Sequence, residues 1–225
     1  CRDSEIWLDY HMKSQTFDAV HCHSPMGGVL AGLAARKAGI NTVIYTAHGF
    51  HFFDGAPLVN WVVYYAIEKW LSRYTTLIIT INKEDYDRAS SFRTCHVEFV
   101  PGVGIDLDHE AVAHPDSVRR KKRMELSIQD DTFLIMSVGE LNRNKNHESI
   151  IRALAEIPNE RFLYIICGDG DLRAELLSLI DSLNLSDKVR LLGFRDDVRD
   201  LCAASDLFVF PSFREGLSVA LMEAM

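Results

Sequence analysis

Short apolar, β-rich runs alternate with helical patterns along the 225 residues, and this alternation predicts an α/β fold built on parallel sheets. Two observations support this. Runs such as Thr76-Leu-Ile-Ile-Thr-Ile81 and Phe162-Leu-Tyr-Ile-Ile166 are nearly continuous in apolar residues, which suits strands covered on both faces. The alternation is also interrupted once, by Pro101-Gly-Val-Gly-Ile-Asp106, a polar stretch with Pro115, and the basic run Arg119-Arg-Lys-Lys-Arg123. Glycine, proline and charge there mark a boundary near residue 107, giving domains at 1–106 and 107–225.

The elements follow in order. Ile6-Trp-Leu-Asp-Tyr-His-Met12 reads as the middle of a helix without a start signal. Strand 19–23 leads into a helix over 26–38. Strand 42–46 leads through a loop into an aromatic helix over 58–72. Strand 76–81 leads into helix 83–91, and strand 97–100 stops at Pro101. The second array begins with strand 132–138 and helix 146–156. Strand 162–166 with helix 171–183 and strand 189–192 with helix 196–204 come next. Strand 207–210 is followed by a last helix from Gly216. That helix has no stop signal, so the chain reads as a fragment with both domains truncated.

Composition narrows the function classes. A net charge of -8 argues against a general nucleic-acid binder. No apolar stretch approaches the roughly 20 residues a membrane-spanning helix needs. The five cysteines (Cys1, Cys22, Cys95, Cys167, Cys202) form no Cys-x-x-Cys pair, so neither a zinc site nor a disulfide framework is expected. A reducing cytoplasm is the simplest setting. Cys167 reads as core.

The segment Pro211-Ser-Phe-Arg-Glu-Gly-Leu-Ser-Val-Ala-Leu-Met-Glu-Ala-Met225 is the most informative about chemistry. A helix opening at Gly216 would leave the N–H groups of Gly216, Leu217 and Ser218 without partners and aimed at an anion. Glu215 and Glu223 would then lie about two turns apart on one helix face. Carboxylates beside an anion-binding helix start suit a ligand with both phosphates and hydroxyls, such as a nucleotide sugar. In open parallel sheets ligands sit beyond the carboxyl ends of the strands, so two facing sheets would hold it in the cleft between them.

An ordered set of short motifs carries a family resemblance over nearly the whole chain. In the second array these are Val138-Gly-Glu-Leu-Asn-Arg-Asn-Lys-Asn146, Cys167-Gly-Asp-Gly170, Leu192-Gly-Phe194, Ala204-Ser-Asp-Leu207 and the Glu215/Glu223 segment. In the first they are His21-Cys-His-Ser-Pro-Met-Gly-Gly28, Tyr45-Thr-Ala-His-Gly-Phe50 and Pro101-Gly-Val-Gly-Ile-Asp106. Together they resemble family 4 retaining glycosyltransferases of the GT-B fold, most of all bacterial exopolysaccharide and capsule enzymes. GT-B consists of two Rossmann-like domains facing across a cleft. The resemblance implies an acceptor-side domain over 1–106 and a nucleotide-sugar donor domain over 107–225.

The resemblance assigns roles residue by residue. Lys145 meets the donor diphosphate; otherwise it is a solvated lysine at a helix start. Many relatives carry arginine where Glu140 stands here, and Arg143 is the candidate to replace that charge. Glu223 accepts from ribose hydroxyls and Glu215 faces the donor sugar; the alternatives are a surface acid and a helix-cap acid. Gly216, Leu217 and Ser218 hold phosphate oxygens. Gly168 and Gly170 admit close approach of a ligand, or only a tight turn. Phe194 stands where relatives bind the base, although a lone aromatic is more often core.

His48, just beyond an apolar strand, is expected near the donor sugar and the reaction centre. Gly27 and Gly28 border the acceptor-side cleft or serve close helix packing. Of His21 and His23, alternating on a strand, one is expected to be buried and hydrogen-bonded. A metal cluster of His21, His23, His48 and His51 is not expected, and no cofactor is implied beyond the nucleotide-sugar substrate.

The implied activity is transfer of a sugar from a UDP-sugar to a saccharide acceptor, with retention, in surface polysaccharide synthesis. The implied acceptor is carried on a polyprenyl diphosphate. Aromatic residues Trp61, Tyr64, Tyr65 and Trp70 on helix 58–72 are read as packing. The alternative is peripheral contact with the inner face of the cell membrane, assisted by Arg119–Arg123. Two other functions stay open, a GT-B nucleotide-sugar epimerase and a non-catalytic nucleotide-sugar binder.

Overall fold

The computed structural model describes residues 2–92, 96–102, 104–105, 114–157 and 159–225. The boundary expected near residue 107, Val103 and Asp106 of the 101–106 motif, and Cys1 and Cys95 lie outside the described residues. The chain divides into two compact units, Cys1–Gly104 and Ile105–Met225.

The first unit holds helix α1 (Arg2–Ser14) and strands β1 (Ala19–Cys22), β2 (Thr42–Ala47), β3 (Leu77–Thr80) and β4 (His96–Phe99). The four strands pair in chain order, all parallel. Helix α2 (Pro25–Lys37) starts where the sequence signals it. Pro25 sits in its first turn, and the Ser24 side chain caps the Gly27 N–H at 3.1 Å. Leu58–Asn60, a π-helical turn Trp61–Tyr65, and Ala66–Leu71 together make one helical segment, α3. Helix α4 (Lys83–Ala89) is capped by Asn82, whose side chain accepts from the Asp85 N–H at 2.8 Å. The core gathers Val43, Tyr45, Ala47, Ile78, Phe50, Phe52 and Phe92 against Ala34 and Ala35 of α2.

The second unit contains α5 (Pro115–Glu125), β5 (Phe133–Val138), α6 (His147–Ala155), β6 (Phe162–Cys167), α7 (Arg173–Ser182), β7 (Val189–Gly193), α8 (Val198–Ala204), β8 (Leu207–Phe208) and α9 (Val219–Glu223). The parallel sheet has the order β7-β6-β5-β8. Every residue of β6 is buried, as its continuous apolar run predicts. Alternation along β5 and β6 splits the core in two. Ile135, Tyr164 and Ile166 pack with α6 and α7, and Leu134, Met136, Leu163, Ile165 and Cys167 pack with α8.

Two elements depart from the sequence expectation. The basic run lies within a helix, α5, which the boundary signals concealed. Its charges are largely consumed inside the unit: Lys122 Nζ contacts Asp197 Oδ2 at 2.5 Å, and Arg119 and Arg123 both donate to the Ala204 carbonyl, at 2.7 and 3.3 Å. Lys122 and Arg123 are buried and act as a structural clamp, whereas Arg120 and Lys121 stay exposed. The last helix starts at Val219 rather than Gly216, because Ser218 adopts an extended conformation and its side chain caps the Leu221 N–H at 3.2 Å.

Candidate functional site

The carboxyl ends of β5, β6 and β7 open onto a cavity of about 290 Å³ lined by Gly139, Glu140, Gly168, Asp169, Phe194 and Arg195 among others. Parallel sheets place ligands at this end. A larger hollow of about 420 Å³, lined by Ser127, Arg161, Phe162 and Lys188, lies at the opposite strand ends, where that argument gives no reason to expect a ligand.

Three asparagines shape the loop after β5. Asn142 Oδ1 accepts from the Lys145 N–H at 3.0 Å, folding the loop back on itself. Asn144 Nδ2 donates to the Arg214 carbonyl at 2.8 Å, and the Phe213 N–H donates to the Asn144 carbonyl at 2.8 Å. Asn146, in the left-handed region at φ 53, donates to the Pro211 carbonyl at 3.3 Å and precedes α6. These bonds join residues 142–146 to the loop after β8.

The joined loops bring Lys145 and Glu215 together, Nζ to Oε1 at 2.6 Å. Both side chains are partly buried, at 21% and 25% exposure, so they can still reach a ligand. Glu215 lies in the loop before α9, not on the helix. The two-turn spacing to Glu223 therefore does not put the acids on one helix face. Ser218 ends that loop, so the N–H groups of Gly216, Leu217 and Ser218 belong to the approach to the helix and not to its first turn. Glu223, in the last turn of α9, lies near Cys202 of α8. Burial first, and then the Glu223 charge, push the Cys202 thiol up to about 11.

Other donor-side candidates fall differently. Arg143 is exposed and lines a separate hollow with Asn146, Glu148, Glu175 and Phe213, a set that includes neither Lys145 nor Glu215. A side chain at Gly168 would collide with the Gly139 carbonyl oxygen, and one at Gly170 would meet that of Leu141 at 2.7 Å. These glycines admit the backbone of the neighbouring loop. The Leu141 N–H donates to the Asp169 carbonyl at 3.0 Å across that contact. Phe194 is 86% exposed rather than core, at the rim of the cavity beyond β7.

Two further groups here carry no role in the sequence motifs. Arg195 lines the cavity and is held by Asp197, at 2.6 Å, and Glu125, at 3.3 Å. The hydrogen bond from Arg195 first, and then that from Lys122, depress Asp197 to about 2. His147, the first residue of α6, is buried beneath the Lys145 loop, with Nδ1 3.1 Å from Ser137 Oγ. Burial holds it down to about 4. The signal for His147 was its position directly after the Asn-Lys-Asn run.

In the first unit, His48 stands just beyond β2, exposed, with Nε2 3.3 Å from His23 Nδ1. His21 and His23 are both exposed; the expectation that one is buried fails because Cys22, between them, takes the core-facing position. His21 does bond, Nε2 to Thr46 Oγ1 at 2.9 Å, and its pKa is lowered by desolvation and by His23. His51 stacks on Tyr64 at 4.8 Å. Gly27 and Gly28 sit in the first turn of α2. A side chain at Gly27 would crowd Ser24 Oγ at 2.9 Å, whereas one at Gly28 would rest against the Tyr45 ring at 3.6 Å. Among the described residues no group of three or more His, Cys, Asp or Glu is arranged to hold a metal ion, and no helix is long and apolar enough to cross a membrane.

Comparison with known proteins decides the family. Residues 118–225 match the model for glycosyl transferases group 1, and residues 8–82 match the glycosyl transferase 4-like model. The chain carries glycosyl transferase group 1 and glycosyl transferase 4-like domains. It is 39% identical over 217 residues to the putative glycosyltransferase EpsD of Bacillus subtilis, covering 93% of this chain and 56% of the relative. It is 31% identical over 221 residues to the Escherichia coli UDP-Gal:alpha-D-GlcNAc-diphosphoundecaprenol alpha-1,3-galactosyltransferase, covering 95% and 56%. The chain thus spans little more than half the length of these relatives. Among solved structures, Anabaena Alr3699/HepE in complex with UDP and glucose aligns at a TM-score of 0.80 with 21% identity, covering 98% of this chain and 59% of that one. This likeness supports the fold, two parallel-sheet units of GT-B type.

Proposed function

We propose that the whole protein transfers a sugar from a UDP-sugar to a saccharide acceptor carried on a polyprenyl diphosphate, with retention, in surface polysaccharide synthesis. It acts in the cytoplasm, in peripheral contact with the inner face of the membrane. The nucleotide-sugar is a substrate, and neither a metal nor another cofactor takes part.

The observation that carries this reading is the Lys145–Glu215 contact of 2.6 Å, made between loops at the carboxyl ends of β5 and β8. A lysine ammonium there can serve diphosphate oxygens as a point charge. The bond from the anomeric carbon to the diphosphate breaks while the bond to the acceptor oxygen forms on the same face. Lys145 stabilises the charge developing on the departing phosphate, with the N–H groups of Gly216, Leu217 and Ser218 beside it. The departing oxygen takes the acceptor proton, so no strong side-chain base is required. Glu215 faces the sugar and Glu223 accepts from the ribose. By family resemblance His48 also serves the reacting sugar. The names of the relatives support the donor and acceptor classes: one acts on UDP-Gal and on a diphosphoundecaprenol-linked sugar.

Calorimetric titration of the whole protein with UDP, GDP and ADP tests the donor site. UDP should bind selectively, and Lys145→Ala and Glu223→Ala should each weaken it by about 1–3 kcal/mol. Selective GDP or ADP binding would replace the donor, and silence with all three would sink the transferase reading. Retention is read separately, from the anomeric NMR signals of donor and product.

A further inference from the structure

Helix α3 is amphipathic with its apolar side outward. Trp61 and Tyr65 pack on the core rings of Phe52 and Phe92, and Glu68 and Leu71 are buried. The opposite face exposes Leu58 at 83%, Val59 at 63%, Val62 at 72%, Val63 at 42%, Ile67 at 39% and Trp70 at 41%. Aliphatic residues at this exposure along one helix face are unusual for a surface in water.

A basic cluster stands at the carboxyl end of this face. Lys69 and Arg73 are exposed on and just after the helix, and Arg36 comes from α2. Trp70 packs edge-on against Tyr74 at 5.1 Å, and the Arg36 guanidinium lies over the Tyr74 ring at 4.9 Å. Arg36 and Arg73 line one hollow of about 290 Å³ with Tyr74, Thr75 and Thr76. None of these three cations has a carboxylate partner among the described residues. The only acid between residues 58 and 74 is the buried Glu68, so the exposed face is purely apolar and cationic, in a chain whose net charge is -8.

We infer that the outer face of α3, with Arg36, Lys69 and Arg73, docks on an anionic phospholipid bilayer. Leu58, Val59 and Val62 enter the acyl boundary, Trp70 and Tyr74 sit at headgroup level, and the cations meet lipid phosphates. This inference deepens the peripheral membrane contact of the proposed function by assigning its surface. Charge complementarity favours the bilayer over a protein partner. The cations lie beside interfacial aromatics, where a protein partner's apolar face would leave them unpaired.

The test is flotation of the whole protein with vesicles of phosphatidylcholine alone and of phosphatidylcholine with phosphatidylglycerol. Binding should require the anionic lipid. Arg73→Gln should weaken it about fivefold, and Val62→Asp at least about tenfold. Binding that ignores lipid charge, or that neither variant weakens, overturns the assignment. So does a Val59→Cys thiol that resists labelling before vesicles are added, because the rest of the chain then covers the face. A dimer that Val62→Asp splits would make the partner a second copy and also overturn it. UDP titration is read in parallel. Lost lipid binding with UDP binding intact defeats only the surface, and the reverse defeats only the donor reading.

Discussion

A carboxyl buried without a cation costs free energy whenever it ionises. Glu68 is 4% exposed and accepts from the Tyr45 hydroxyl at 3.2 Å. Burial pushes it from an ordinary 4.5 up to about 7. The unfolded chain therefore releases this proton from about pH 4.5 upward while the fold retains it, and stability falls until the folded group ionises near 7. Glu68→Gln should stabilise the first unit by up to about 3 kcal/mol above pH 7, and by nothing below pH 4. Denaturant melts across that range check it; an equal gain at every pH would mean the proton is irrelevant. His147 works in the opposite direction. Its pKa is lowered from 6.5 to about 4, so its contribution is complete above 6.5 and is lost as pH falls toward 4. Removing it by His147→Gln should flatten the acid limb of the second unit's stability curve by up to about 3 kcal/mol. An unchanged slope between pH 6.5 and 4 would refute the buried neutral imidazole.

At the scale of elements, the continuous apolar runs alternating with helical patterns located the strands of both sheets, because strands covered on both faces must be apolar throughout. The same logic hid α5. Five consecutive basic residues look solvated, and only the tertiary fold supplies Asp197, Asp206 and the Ala204 carbonyl to receive Arg119, Lys122 and Arg123. Arg123, buried, donates to the carbonyls of Ala204, Gln129 and Thr132. Arg123→Ala should destabilise the second unit by about 3–5 kcal/mol, the scale of breaking a buried charge network, and chemical denaturation measures it. A loss under 1 kcal/mol would return this run to the surface. The site was legible only in part. Glu215 and Lys145 were readable as residues, but their meeting depends on Asn144 and Asn146, whose bonds to a loop 65 to 70 positions away no local pattern announces. The start of α9 was misplaced because Gly216 resembles a helix opener while the Ser218 side chain does the capping.

For the whole molecule, the apolar clusters sort by unit. One cluster closes the first unit, and two close the faces of the second sheet. Lys145, Glu215, Gly216 and Glu223 all belong to the unit spanning Ile105–Met225. A ligand that binds only there stabilises only the cooperative block that contains its site. Calorimetry of the whole protein should therefore resolve the second unit's transition as the one that UDP moves. At one hundred times its dissociation constant UDP should add about 2.7 kcal/mol to that block, a rise of about 10 °C for a unit of this size. Glu68→Gln should move the other transition and leave the UDP shift unchanged. If UDP raised both transitions equally, the nucleotide would be engaging more than the second unit. If Glu68→Gln changed the UDP shift, the two cores would not be independent, and the roles assigned to Lys145 and Glu223 would have to be measured with the first unit's protonation held fixed.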